Sequence, residues 1–128
     1  MSEVTGDKAD QVGRITGDPI LGIAGARKDD TGKAPIYRGV LSYFPQAIRG
    51  VALVSAFGAS KYAWNGWCYV PDGHNRYSDG LLRHLAYEAE GEVLDPESGL
   101  HHDLHSAWNA LARAELRIRA DRAKETHE

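Results

Sequence analysis

Apolar and polar positions divide the chain into two regimes. Residues 1–34 are rich in Gly, Asp, Lys and Thr and follow neither a 3.6- nor a 2.0-residue period, which predicts an arm or loops. The one short apolar run there, Ile20 to Ile23 broken by Gly22, reads as a small strand or a plug against a partner subunit. From Pro45 to Phe57 (PQAIRGVALVSAF) a proline suited to the first helical turn precedes apolar residues at Ile48, Val51, Ala52 and Val54, predicting a first helix that ends at Gly58. The next segment, GASKYAWNGWCYVPDGHNRY, mixes turn residues with large aromatics and reads as a long structured loop. Ser78 or Asp79 then caps a second helix, SDGLLRHLAYEAEGE, in which Leu81, Leu82, Leu85 and Ala89 share a face, Glu92 projects among them, and His84 and Glu88 lie at its edge. The turn chemistry of LDPESG breaks it near Pro96. A third helix from about Leu100 to about Arg122, with Ser98 as N-cap, has an apolar stripe at Leu100, Leu104, Ala107, Leu111, Ala114 and Ile118. On its other side His102, His105 and Asn109 share a face. No alternating strand pattern competes, so the expected fold is all-α: a small helical bundle of about three main helices with a long loop-rich N-terminal half. The expected organisation is an arm at 1–27, one helical domain at 28–122 and a frayed tail at 123–128.

Composition narrows the function classes. At 128 residues, 42% hydrophobic and 26% charged, the chain has the size and balance of one globular domain and no membrane span. Fifteen Lys and Arg against 18 Asp and Glu leave a net charge of -3, which gives no footprint for a nucleic acid polymer or an anionic membrane. Any anion must be held locally. The C-terminal run RAELRIRADRAKETHE pairs charges of both signs and reads as a solvated helix end. Cys68 is the single cysteine and has no catalytic His pattern beside it, and the N-terminal residues lack an apolar signal stretch, so a cytoplasmic location is expected. A helical part of roughly 90 residues is small for an independent core, so a homo-oligomer is expected as well.

Four of the six histidines (His84, His101, His102, His105) fall in one short stretch, among Glu88, Glu90, Glu92, Asp95, Glu97 and Asp103. Antiparallel helices joined by a tight turn bring Glu92 and Asp95 near His102 and His105, a set able to bind a divalent ion. Glu90 and Asp103 fit a solvated face, Asp95 and Glu97 equally shape a turn, and His101, displaced about 60° from the side that His102 and His105 share, reads as structural. Glu92, placed in an apolar stripe, must be paired or coordinated. His84 suits either a core histidine or a functional one. A basic, glycine-containing segment, RKDDTGK with Lys28 and Lys33, joins Lys61 as candidate phosphate contacts, although it is not a Walker A loop. Arg83 can pair with a phosphate or with Glu90. Tyr62, Trp64, Trp67 and Tyr69 can stack a base or simply pack.

The order KxDxGK (Lys28 to Lys33), GAxKY (Gly58 to Tyr62), a Trp soon after, and LLRHLxxxxxGExxDxESGLxHxxHxxxN (Leu81 to Asn109) resembles the dATP/dGTP diphosphohydrolase domain found widely in bacteriophage proteins. The resemblance covers roughly residues 28–116. It implies a MazG-like, all-α, oligomeric pyrophosphohydrolase that cleaves a purine deoxynucleoside triphosphate between the α and β phosphates with a divalent metal, Mg or Mn, in a bacterial host cytoplasm. The matching positions are Lys28, Asp30, Lys33, Lys61, Tyr62, Arg83, His84, Glu92, Asp95, Glu97, Ser98, His102, His105 and Asn109. Gly66 stands before Trp67 where the family commonly has Asn. The ExxD spacing of MazG-like sites is kept at Glu92 and Asp95, while His102 and His105 stand where carboxylates would follow. On this basis Glu92, Asp95, His102 and His105 are candidate metal ligands. His84, Glu92 and Glu97 are candidate catalytic groups, with His84 or Glu97 as general base or support. Lys28, Asp30, Lys33, Lys61, Arg83 and Asn109 are candidate substrate contacts, with Trp67 or Tyr62 stacking the base. The alternative is a non-catalytic phage protein that sequesters a nucleotide or a nucleotide-derived signal.

Overall fold

The computed structural model describes residues 27–127, so the Ile20 to Ile23 segment lies outside the described residues. The chain divides into two units, Met1–Ala34 and Pro35–Glu128. In the first, residues 27–34 make an exposed turn: the Lys33 N–H donates to the Asp30 carbonyl, the Asp29 carboxylate accepts from the Thr31 N–H, and Gly32 supplies a φ of 81°.

The second unit is all-α. A π-helical turn at Tyr37–Leu41 precedes α1 (Pro45–Lys61); a short 3-10 turn at Gly66–Tyr69 leads to α2 (Gly73–Ala89); α3 (His102–His127) follows. Pro45 occupies the first turn of α1, where a missing N–H costs nothing. The helix passes the expected stop at Gly58 and closes with the Tyr62 N–H on the Gly58 carbonyl. The expected long loop is therefore shorter. α2 begins at Gly73, five residues before Ser78, behind an Asp72 in the left-handed region (φ 57°) whose carboxylate accepts from Asn75 Nδ2. Ser78 does not cap; its hydroxyl donates back to the His74 carbonyl.

α2 stops at Ala89, and Gly91 (φ 105°) turns the chain, so Glu92 lies beyond the helix and not in its apolar stripe. Residues 92–101 form a hairpin-like link. Leu94 and His101 make an antiparallel bridge, the Asp95 N–H donates to the Leu100 carbonyl, and the His102 N–H donates to the Val93 carbonyl. Ser98 sits inside this link instead of capping the third helix, and its Oγ accepts from the Leu100 N–H. α3 starts at His102 and continues past Arg122 to His127.

α3 is the centre of the unit. α2 runs antiparallel along it, a register fixed by Gly73 against Leu116, Arg113 hydrogen-bonded to Ser78, Gly80 against Asn109 and His84 against His102. α1 covers another side through Gly50 on Leu104, Ser55 accepting from Trp108 Nε1 (2.7 Å) and Phe57 edge-on to His105. The seam between helices is polar: His102, His105, Ser106 and Asn109 are buried, while Val54 and Ala112 are the buried apolar residues among those described. The leucine stripe of α2 is only partly covered: Leu81 is half-buried and Leu85 is exposed. Leu82 is 62% exposed, and on α3 Leu111 is 56% exposed.

Candidate metal and nucleotide site

Where α2 ends and α3 begins, the helix phase that leaves Leu82 outside turns His84 inward. The antiparallel link sets His102 and His105 opposite it. The His84 and His105 rings stack at 4.5 Å and 11°, the His84 and His102 rings lie 5.0 Å apart, Tyr87 stacks on His102, and Phe57 closes the His105 side. His102 is 1% exposed.

Hydrogen bonds orient each ring. Glu92 Oε1 is 2.8 Å from His102 Nε2. A carboxylate only accepts, so Nε2 carries the proton and His102 Nδ1 presents a lone pair. That Nδ1 faces His84 Nδ1 at 2.8 Å. His105 Nε2 meets Ser98 Oγ at 2.7 Å and lies 3.8 Å from Asp95 Oδ2, which accepts the Ser98 N–H at 2.8 Å. Ligand-capable atoms of His84, Asp95 and His102 all lie within 4.8 Å of one another.

Burial, reinforced by the imidazoles of His105 and His102, pushes His84 down to about 4. Burial lowers His105 too, against the pull of Asp95. Burial alone would raise Asp95, but the Ser98 N–H and hydroxyl, then His105 and His84, leave it below its ordinary value. Neutral imidazoles beside an ionised carboxylate are the protonation states that a metal ion requires.

Of the sequence-selected residues, His84, Glu92, Asp95, His102 and His105 come together, with Ser98 as an added partner. Asn109 is buried one turn beyond His105, its Nδ2 donating to the His105 carbonyl and its Oδ1 filling the space left by Gly80. Glu97 is ion-paired with Lys61 at 2.9 Å, so a proposed base and a proposed phosphate contact engage each other at the surface. The bond to Glu97 raises the Lys61 pKa. Tyr62 is open, with the Lys61 ammonium 5.5 Å from its ring centre, and Arg83 is exposed without a hydrogen bond or ion pair among the described residues. Trp67 packs with Tyr77 and Trp108 beneath the Arg119 guanidinium. Tyr77 lies two helical turns, roughly 10 Å, from His84. Lys28, Asp30 and Lys33 belong to the exposed turn of the first unit. A shallow open depression lined by His74, Leu116, Arg117, Asp121 and Lys124 lies at the opposite end of the α2–α3 pair and shares no residue with the histidine cluster. Sequence reasoning missed Tyr87 and gave Ser98 a different job; Tyr87, one turn after His84, was detectable only as a helical neighbour.

The sequence model of a family described as dATP/dGTP diphosphohydrolase, N-terminal, matches residues 24–126. No curated protein and no solved structure matches the chain.

Proposed function

The chain belongs to the dATP/dGTP diphosphohydrolase N-terminal family, and from that premise we propose that it hydrolyses purine deoxynucleoside triphosphates to the monophosphate and pyrophosphate with a divalent metal. The observation that carries the reading is the convergence of His84, Asp95 and His102 ligand atoms within 4.8 Å in a chain of this family. His84, Asp95 and His102 would hold a divalent ion, which would neutralise phosphate charge and activate water. The chain's own residues do the rest. Glu92 holds His102 through Nε2, Ser98 and Asp95 hold His105, and the stacked His84–His105 pair keeps the cluster rigid. His105, whose pKa burial lowers, and His84 are the imidazoles of this cluster offered as proton acceptors. Arg83 and Tyr62 are exposed and free to meet phosphate and base, while Lys61 does so by exchanging Glu97 for a phosphate oxygen.

We also propose that the functional form is a homo-oligomer, supported by the apolar side chains left outside the helical seam. No helix of the described residues is long and apolar enough to cross a membrane. The decisive assay incubates the protein with a panel of deoxynucleoside triphosphates and Mg or Mn, then separates monophosphate, diphosphate and intact nucleotide. Monophosphate with pyrophosphate from dATP or dGTP, lost in His102→Ala, is the expected result. A nucleotide that binds and is recovered unchanged after denaturation replaces hydrolysis with sequestration; diphosphate as product overturns the cleavage position.

A further inference from the structure

We propose that His84 Nδ1, His102 Nδ1 and a carboxylate oxygen of Asp95 form a centre for a borderline transition-metal ion of the Mn, Fe, Co or Zn class in preference to Mg, with Glu92 as the positioning residue of His102. The inference deepens the metal requirement of the proposed hydrolysis and rests on that reading only for its biological use.

The argument begins with a tautomer. Glu92 Oε1 at 2.8 Å fixes the proton of His102 on Nε2, so Nδ1 is a lone pair in a side chain only 1% exposed. A buried lone pair needs a partner. The nitrogen facing it at 2.8 Å is His84 Nδ1. Without metal, a proton on His84 Nδ1 bridges the two rings. With metal, two nitrogens at about 2.0–2.1 Å from a tetrahedral ion stand roughly 3.3 Å apart, so the rings need to part by only about half an ångström. The Asp95 carboxylate lies within the same 4.8 Å circle and supplies the third donor and a negative charge. Its turn is already set by the Ser98 N–H.

Donor chemistry selects the ion. Mg binds through carboxylate, phosphate and water oxygens and gives up its water reluctantly, whereas imidazole favours first-row transition ions. Two imidazoles and one carboxylate make a set that Mg has little reason to prefer. Three protein donors also leave a position open for water or a phosphate oxygen, as catalytic zinc sites do. The Glu92–His102 bond completes the carboxylate–histidine–metal arrangement that orients a ligating ring and raises its basicity.

The test uses the full chain stripped with a chelator and titrated with Zn, Mn, Co and Mg alone, read by calorimetry and by metal content after dialysis. The expected result is one Zn or Co per chain, at least tenfold tighter than Mg, with a Co visible spectrum of nitrogen and oxygen donors. His84→Ala, His102→Ala and Asp95→Asn each abolish that binding, and Glu92→Gln weakens it by about 10- to 100-fold. His101→Ala, next door and exposed, leaves it unchanged. Wild-type protein that binds Mg as tightly as Zn, or holds no transition ion after dialysis, overturns the proposal without recourse to any variant. Retained binding in a helical, folded His102→Ala does so as well. Turnover with Mg but no transition-ion binding sinks this inference alone; tight transition-ion binding without turnover sinks the hydrolase reading alone.

Discussion

At the scale of single residues, the histidine cluster makes stability depend on pH in a direction that can be worked out. In the folded, metal-free protein His84 is pushed to about 4 from an ordinary value of 6.5, and burial moves His105 the same way. Between those values the unfolded chain binds protons that the folded chain refuses, so stability is fully present above pH 6.5 and is lost as pH falls toward 4. Asp95, held below its ordinary 3.8, gives up its share only at lower pH. Thermal melts followed by circular dichroism should therefore show a steady melting temperature above pH 7 and a decline that starts near pH 6.5. His84→Asn should flatten the upper part of that decline. A wild-type melting temperature that is flat from pH 7 to pH 4.5 contradicts the account. Much of this cluster was legible beforehand. The i, i+3 spacing of His102 and His105 and the short link to Glu92 and Asp95 already required proximity of these side chains, because antiparallel helices leave few other places for them. The lone pair of His102 was not legible, since it depends on which ring nitrogen meets Glu92.

At the scale of elements, α2 approaches α3 closely because glycine occupies its inward face. A Cβ at Gly80 would stand 2.7 Å from Asn109 Oδ1, and Asn109 is buried and tied to the His105 carbonyl. A Cβ at Gly50 would stand 2.6 Å from Leu104 Cδ1, the far end of a flexible side chain. The two substitutions therefore separate. Gly80→Ala forces two helices apart and should cost on the order of 1–3 kcal/mol, lowering the melting temperature by about 4–8 °C per kcal/mol in a domain of this size. Gly50→Ala gains up to about 1 kcal/mol of helix propensity, which offsets the shift of Leu104 and leaves the melting temperature near wild type. Equal losses for both, in parallel calorimetric scans, would refute the distinction between rigid and yielding neighbours. This seam also explains what periodicity hid. The stripes of α2 and α3 marked amphipathic helices correctly, but a stripe says only that something apolar should cover it. Here Gly73, Tyr77, Gly80 and His84 of α2 face α3, while Leu82 and Leu85 are left exposed. The early start of α2 was hidden for a related reason: Asp72 begins it in a left-handed conformation that no helix-start rule anticipates.

At the scale of the whole molecule, the question is what covers those leucines. Val54 and Ala112 are the buried apolar residues among those described, while Leu82, Leu85, Leu111 and Ile118 are 42–62% exposed. A stable domain normally reverses that distribution, because burial of apolar surface is its main favourable term. A second copy related by two-fold symmetry, the commonest arrangement among homo-oligomers, would supply matching stripes. Light scattering should accordingly give a mass of twice 14.0 kDa or more, and the melting temperature should rise with protein concentration. The discriminating substitution is Leu82→Glu, with Leu111→Glu as its counterpart on α3. In a monomer both sites face water, and each change should stay within about 0.5 kcal/mol. In an interface, each places a carboxylate in an apolar seam and should dissociate the oligomer and lower its melting temperature. A monomeric wild type whose melting temperature ignores both substitutions would mean that the helical seam, polar as it is, suffices alone. Dissociation by one substitution and not the other would identify which helix carries the contact.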